Sequence, residues 1–399
     1  MFKNDAAIKK RYIAEDIIND LKEKMVFVGG PRQVGKTTMS LYIADNYYDK
    51  SYQYFNWDNR EDRKDILNSA RKPDIKLIVY DEIHKYKFWK NYLKGEYDKH
   101  KKEFDILVTG SARLDVYRKG GDSLLGRYRY YRLHPFSLSE FLDIKPLYSV
   151  SSNLNFDTYS KEYYEASDIL LKFGGFPEPL FKQNERNLRR WHNERIDRLV
   201  RNDIRDTENI RELSLMQVLV DLLPSKVSSL LSINSLREDL EVSHKTVSLW
   251  LDILERFYYS FRIYPFYDSK IKSLRKEPKI YLWDWSEIED EGAKYENMIA
   301  SHLLKLCNYL YDKEGFKAEL HYIRDKEKRE VDFLISIDKK PWFCVETKKS
   351  YGDVPASLVY FKNRLTIPQS YLVIQEKGID KIQKDIRIIS YDKFLSGLI

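Results

Sequence analysis

The segment Gly30-Pro31-Arg32-Gln33-Val34-Gly35-Lys36-Thr37 constrains this chain more than any other feature. A loop of this form needs glycines so that successive backbone amides can turn inward around phosphate oxygens. It also needs a lysine that reaches the β and γ phosphates, and a hydroxyl beside a magnesium ion. Gly30, Gly35, Lys36 and Thr37 supply these at the required spacing, and Gln33, Val34 and Thr38 complete the set expected to line a nucleotide. Residues 25–28 read as an apolar strand and 36–46 as a helix, which is the setting such a loop requires. The expected ligand is ATP with Mg2+.

The flanking pattern extends this unit. Short apolar runs at 25–28, 52–57, 77–80, 106–109 and 128–133 alternate with amphipathic stretches at 36–46, 60–70 and 89–101. Strand and helix alternating in this way predict an α/β fold, a parallel sheet covered by helices on both faces. The run Leu77-Ile78-Val79-Tyr80 ends in Asp81 and Glu82. Asp81 is placed to coordinate magnesium, directly or through water. Glu82, one residue on, is placed to orient and deprotonate an attacking water. The stretch 52–57 lies between the two motifs along the chain, so a strand is expected between them in the sheet.

A chain of 399 residues is too long for one ordinary core. The expected organisation is a nucleotide-binding domain over 1–160, a charged helical lid over 161–212, a winged helix over 213–283 and a second α/β domain over 284–399. Gly174, Gly175, Pro177 and Pro179 mark a sharp loop inside the lid. Helices at 233–240 and 245–257, separated by a turn with Ser243 as N-cap, have helix-turn-helix spacing. Two strands at 259–265 and 279–283 complete the winged-helix outline. The second helix would present His244, Lys245, Thr246 and Ser248 to a major groove. Between Arg262 and Lys279 lie six Lys or Arg and two acidic residues, which suits phosphate contacts by the wing. DNA is thus an expected partner. The other account is a lid or protein-interaction domain, since Glu238, Asp239 and Glu241 make the first helix acidic. The whole-chain excess, 69 Lys and Arg against 62 Asp and Glu, permits an anionic partner without demanding one.

Near the C-terminus, Asp332 sits inside an apolar strand and Glu346 and Lys348 share one face of another. Two carboxylates on a divalent ion, beside a lysine that positions water, form a phosphodiester-cleaving site. A solvated edge strand produces the same local pattern. Two cysteines exclude a disulfide framework and suggest a reducing compartment. With no secretory leader and no apolar run long enough for a bilayer, the expected location is the cytoplasm, away from membranes.

The segment from Gly30 to Thr38, the Asp81-Glu82 pair and Leu107-Val108-Thr109-Gly110-Ser111 together resemble AAA-type ATPases. More narrowly, Leu124-Leu125-Gly126-Arg127-Tyr128, followed by Leu133-His134-Pro135-Phe136-Ser137-Leu138-Ser139-Glu140, resembles a bacterial and archaeal AAA-like family with a C-terminal nuclease-like domain. The resemblance implies a polar sensor at Thr109 or Ser111, near the attacking water or γ-phosphate, although either residue could simply cap the next helix. It implies a transition-state arginine at Arg127, in cis or in trans, with a surface salt bridge as the other account. A homo-oligomer is therefore left open. It also implies that Pro177 packs near the base, against a plain helix-breaking turn. Asp332, Glu346 and Lys348 resemble the PD-(D/E)XK nuclease pattern, with Glu296 matching its outer acidic residue and Val331 where many members have proline. The expectation is an ATP-hydrolysing protein acting on nucleic acid with metal-dependent cleavage open. The alternatives are a nucleotide-operated switch that binds without cutting, and a protein-assembly factor.

Overall fold

The computed structural model describes residues 10–111, 124–145, 150, 154–156, 160–205, 210, 212–267 and 276–399, and the chain divides into two compact units. The first unit runs through Pro135 and takes in the short segment Arg256–Tyr258; the second holds the remainder.

The first unit is built on a five-stranded parallel sheet of β1 (Met25–Gly29), β2 (Tyr52–Asn56), β3 (Leu77–Asp81), β4 (Asp105–Gly110) and β5 (Tyr128–Arg132), in the order β2-β3-β4-β1-β5. The central strands β1 and β3 are buried at every position, and β4 at all but its first. That explains their unbroken apolar runs, because helices cover both faces of such a sheet. At one edge, β2 buries only Phe55. Its place corrects the expectation from chain order. The strand between the phosphate loop and the acidic pair is β4, which pairs with β1 and β3, while β2 sits outside β3. Helix α1 (Ala14–Leu21) was not legible from the charged N-terminal stretch; its Ala14, Ile17 and Leu21 face inward. Helices α2 (Lys36–Tyr47), α3 (Arg60–Leu67) and α4 (Trp89–His100) fall where the periodicity places them, and Asn59 caps α3 by accepting from the amides of Glu61 and Asp62.

The second unit begins with helices α5 (Leu138–Leu142), α6 (Lys161–Phe173), α7 (Pro177–Lys182) and α8 (Glu185–Arg198). The glycine–proline segment is the joint between α6 and α7. Gly174 ends α6 with φ of +75°, and Pro177 is the first residue of α7, where its missing amide costs nothing. Next come α9 (Leu213–Leu222), α10 (Ile233–Asp239) and α11 (His244–Arg256). The Ser243 hydroxyl accepts from the Thr246 amide at 3.1 Å, the N-cap its spacing predicts. Strands β6 (Ser260–Pro265) and β7 (Lys279–Leu282) pair antiparallel.

This hairpin does not stand alone. β6 also pairs parallel with β8 (Ala318–Arg324), through Tyr264 opposite His321 and Pro265 opposite Tyr322. An eight-stranded sheet results. After α12 (Glu291–Tyr309) and β8 come β9 (Glu330–Ile337), β10 (Lys340–Lys348), α13 (Ala356–Arg364), β11 (Gln369–Ile374), β12 (Asp380–Gln383) and β13 (Ile386–Ser390). The order is β12-β13-β11-β10-β9-β8-β6-β7. Against it packs a core that includes Leu334, Cys344, Leu358, Phe361 and Leu372. Cys307 and Cys344 are buried thiols, not joined in a disulfide. No helix among the described residues is long and apolar enough to cross a membrane.

Buried in this unit, His302 has both ring nitrogens engaged. Nδ1 donates to the Met298 carbonyl at 2.8 Å, so Nε2 must accept from the Leu138 amide at 3.1 Å. Burial, opposed by the bond to Met298, lowers its pKa from 6.5 to about 4. A depressed folded-state pKa means that its stabilisation is complete above the unfolded value near 6.5 and is lost as pH falls towards 4. The melting temperature of the parent should therefore drop over that window, and His302→Gln should show a shallower pH dependence there. Identical slopes for the two proteins would sink this assignment.

Candidate functional sites

The phosphate loop joins β1 to α2. Gly35 adopts φ of +98° and Gln33 +61°, the left-handed values that turn amides inward. Gly30 also has positive φ, and a Cβ there would lie 2.5 Å from the Leu133 carbonyl oxygen. Glycine is required at Gly30 both for conformation and for room. The buried Lys36 ammonium donates to the carbonyls of Gly30 at 2.9 Å and Pro31 at 2.7 Å. The loop has a further brace that its local sequence does not reveal. Arg11, 4% exposed, donates to the carbonyls of Val34 and His134, tying the loop to the exit of β5.

Asp81, at the end of β3, is the centre of a hydroxyl cluster. Thr37 Oγ1 and Tyr54 OH donate to its Oδ2 at 2.7 and 2.8 Å, and Thr109 Oγ1 donates to Oδ1 at 2.6 Å. Three strands and the first turn of α2 therefore converge on one carboxylate. Thr37 and Asp81 together present oxygens suited to a hard divalent ion that draws its other ligands from phosphates and water. These residues fit magnesium.

Glu82 follows with φ of +57°, and its amide donates to the Thr109 carbonyl at 2.9 Å. That left-handed turn swings its side chain away from the strand direction. Its Oε2 lies 3.4 Å from His84 Nε2 and 3.7 Å from the Lys85 ammonium. Burial raises its pKa, against the opposing charges of Lys36 and Lys85. Ser111 lies 3.5 Å from His84 Nε2, so Ser111, His84 and Glu82 form a row. His84 was missed in the sequence because a lone histidine after an acidic pair carries no distinguishing pattern. Of the two sensor candidates, Thr109 bonds Asp81 directly, while Ser111 faces this row.

Arg127 is placed differently. It precedes β5, and its carbonyl accepts from the Met25 amide at 3.1 Å, at the start of β1. The phosphate loop leaves the opposite end of that strand, about 15 Å away. Arg127 therefore cannot reach the nucleotide of its own loop. Its guanidinium grips Asp98 on α4 with two bonds, of 2.7 and 3.0 Å. Pro177 belongs to the second unit, as the first residue of α7.

In the second unit, Asp332 on β9 and Glu346 on β10 meet across adjacent strands, the Asp332 amide lying 3.4 Å from Glu346 Oε2. Lys348 shares a face with Glu346 and lies 3.0 Å from its Oε1. Glu296 on α12 accepts from Tyr281 OH at 2.8 Å. All four residues of the expected quartet are thus in one neighbourhood. A fifth was not expected there. The Lys279 ammonium, on β7, lies 2.7 Å from Glu330, 3.6 Å from Glu296 and 3.7 Å from Asp332. Burial alone would lower its pKa, but Glu296, Asp332 and Glu330 together raise it. Burial and the charge of Asp332 raise Glu296 and Glu346, which Lys279 and Lys348 oppose in turn.

At this cluster a lysine stands among carboxylates expected to hold a metal. Among the described residues no three His, Cys, Asp or Glu side chains are grouped as ligands of one metal ion. Asp332 Oδ2 already accepts from the amide and hydroxyl of Thr347 at 2.9 and 2.7 Å. The Lys279 ammonium lies beside Glu296 and Asp332, two of the three expected ligands.

The wing charge needs a matching correction. Lys279 is buried in that cluster, and Arg262 is bound to Asp252 and Glu255 at 2.6 and 2.7 Å. Both are spent inside the protein. Lys276 is exposed, whereas Lys270, Lys272 and Arg275 lie outside the described residues. His244 and Lys245 at the start of α11 are exposed, with Thr246 and Ser248 half-buried beside them.

Residues 22–142 match the family described as an AAA domain, while 165–286 and 291–394 match two domains of unknown function, DUF8612 and DUF4143. Several curated proteins described as uncharacterized are similar to this chain. One from Methanocaldococcus jannaschii is 25% identical over 361 residues, 84% of this chain and 78% of that protein. One from Haemophilus influenzae is 24% identical over 349 residues, 77% of this chain and 78% of its own length. Among solved structures, the Thermotoga maritima RuvB Holliday junction branch migration motor overlaps with a TM-score of 0.31 and 16% identity, covering 62% of this chain and 87% of RuvB. AMPPCP-bound DnaA from Aquifex aeolicus overlaps with a TM-score of 0.32 and 13% identity, covering 61% of this chain and 86% of DnaA. Overlap at that level does not define a shared fold. The family match, the sheet order and the phosphate loop make the first unit an AAA-type P-loop ATPase domain.

Proposed function

We propose that the first unit binds ATP with Mg2+ and hydrolyses it, and that the cycle governs how the second unit engages nucleic acid. The observation that supports hydrolysis best is the convergence of Thr37, Tyr54 and Thr109 on Asp81, with Glu82 turned out beside it. Magnesium bound at Thr37 and Asp81 would neutralise charge on the β and γ phosphate oxygens. The amides of Gly30, Gln33, Val34, Gly35, Lys36, Thr37 and Thr38 would cradle the phosphates. Lys36 would exchange its two loop carbonyls for phosphate oxygens, a stronger charge-assisted pairing. Glu82 orients the attacking water and takes its proton, with its raised pKa matching that task. Ser111 and His84 hold the row from which Glu82 acts. Arg127 in a neighbouring copy completes the reading. Lys36→Ala should abolish productive ATP binding, measured by nucleotide titration; unchanged affinity would refute the phosphate role.

Helices α10 and α11 with the β6–β7 hairpin are read as a winged helix that contacts DNA through His244, Lys245, Thr246 and Ser248 and through the wing. With Arg262 and Lys279 paired internally, the proposed phosphate contacts fall to Lys270, Lys272, Arg275 and Lys276. Binding should weaken steeply with salt. Replacing all four with alanine should flatten the slope by up to about 0.9 for each phosphate that is no longer neutralised. An unchanged slope would place the DNA-binding surface elsewhere, and no DNA affinity at any salt concentration would favour a protein partner. The C-terminal quartet, Glu296, Asp332, Glu346 and Lys348, resembles a nuclease site. The placement of Lys279 favours the reading in which this unit binds without cutting.

A further inference from the structure

We propose that Lys279 is the resident cation of the C-terminal carboxylate cluster, so that Glu296, Asp332 and Glu346 take no divalent ion and the unit cleaves no phosphodiester. The Lys279 ammonium is 3% exposed and lies within 4 Å of carboxylates from α12 and from two positions on β9. Its strand, β7, packs beside α12, and Leu282 bonds the Asn297 side chain through both its amide and its carbonyl. β7 is thereby fixed against α12 at the strand from which Lys279 reaches the cluster.

The remaining oxygens are also taken. Tyr281 donates to Glu296, Thr347 donates twice to Asp332, Arg324 binds Glu330 at 2.6 Å, and Lys348 binds Glu346. Four carboxylates thus face Lys279, Lys348 and Arg324. A divalent ion entering here would meet an ammonium it repels. Coordination would require either parting the buried lysine from Glu296 and Asp332 or holding a divalent ion beside its ammonium, and both are unfavourable. The same arrangement explains how so many acidic groups pack together without metal. Lys279 ties β7, α12 and β9 by charge, as a structural ion does in a metalloprotein.

The test uses the full-length protein without nucleotide and Mn2+ alone as probe, followed by electron paramagnetic resonance. The parent should show no Mn2+ site that depends on Asp332. Lys279→Met should acquire one, at least about tenfold tighter than anything in the parent, and that site should vanish when Asp332→Asn is added. Because removing the lysine leaves carboxylates uncompensated, Lys279→Met should melt lower than the parent and recover on adding Mn2+, while the parent's melting temperature stays unchanged. A parent Mn2+ site lost in Asp332→Asn or Glu346→Gln overturns the proposal. So does a folded Lys279→Met protein that gains no site. If Lys279→Met does not fold even with Mn2+, the parent titration alone decides between the two outcomes. ATP hydrolysis is read in a separate assay, so failure of the ATPase assignment leaves this result standing.

Discussion

Glu82→Gln is expected to bind ATP as the parent does and to hydrolyse it about 10² to 10⁴ times more slowly, the usual contribution of a positioned general base. The amide keeps the size and the left-handed backbone of Glu82 but cannot accept a proton. Affinity should persist because Lys36, Thr37 and the loop amides, not Glu82, are the groups placed to contact the phosphates. Turnover at saturating ATP, read beside a nucleotide titration, separates the two effects. A Glu82→Gln protein with parental turnover would remove this residue from the chemistry. A loss of affinity with turnover intact would move it to ground-state binding. His84 is the natural companion variant. If it steadies Glu82 through Oε2, His84→Ala should lower turnover less than Glu82→Gln and shift the acid limb of its pH profile.

Arg127→Ala is expected to leave ATP affinity intact and to cut turnover by about 10³ or more, the range an arginine finger supplies. The geometry restricts how this can happen. Arg127 lies at the β1 start, a full strand length from its own phosphate loop, so the proposed action is on a nucleotide held by another copy of the chain. Mixing Arg127→Ala with Lys36→Ala should then restore part of the activity, because each contributes the half the other lacks. The bond to Asp98 sets the contrasting outcome. If Arg127→Ala and Asp98→Ala both hydrolyse ATP at the parental rate, the pair is an exposed salt bridge with little effect on stability. No rescue on mixing, with turnover lost, would mean that the arginine supports the fold of β5.

Much of the first unit is determined by contiguous sequence. The phosphate loop is legible because its chemistry is set by glycine conformations and a neighbouring lysine, all within eight residues. β1, β3 and β4 are legible because burial on both faces demands unbroken apolar runs. Ser243 is legible as a cap because capping acts three residues away. Tertiary structure decided what depends on residues distant in the chain. Chain order suggested β2 between the two motifs, but strand order follows from crossovers and packing, which put β4 there. Arg11 and His84 carry no local pattern, since the partners that define them lie elsewhere in the sequence or in the turn that β3 happens to make. Lys279 is the plainest case. In sequence it is one more positive charge in a basic stretch, and nothing adjacent marks it as buried. Only when β7 lies beside α12 and β9 do Glu296, Glu330 and Asp332 come within reach. A long side chain with a charged tip can serve solvent or core equally well, and its surroundings in three dimensions determine which.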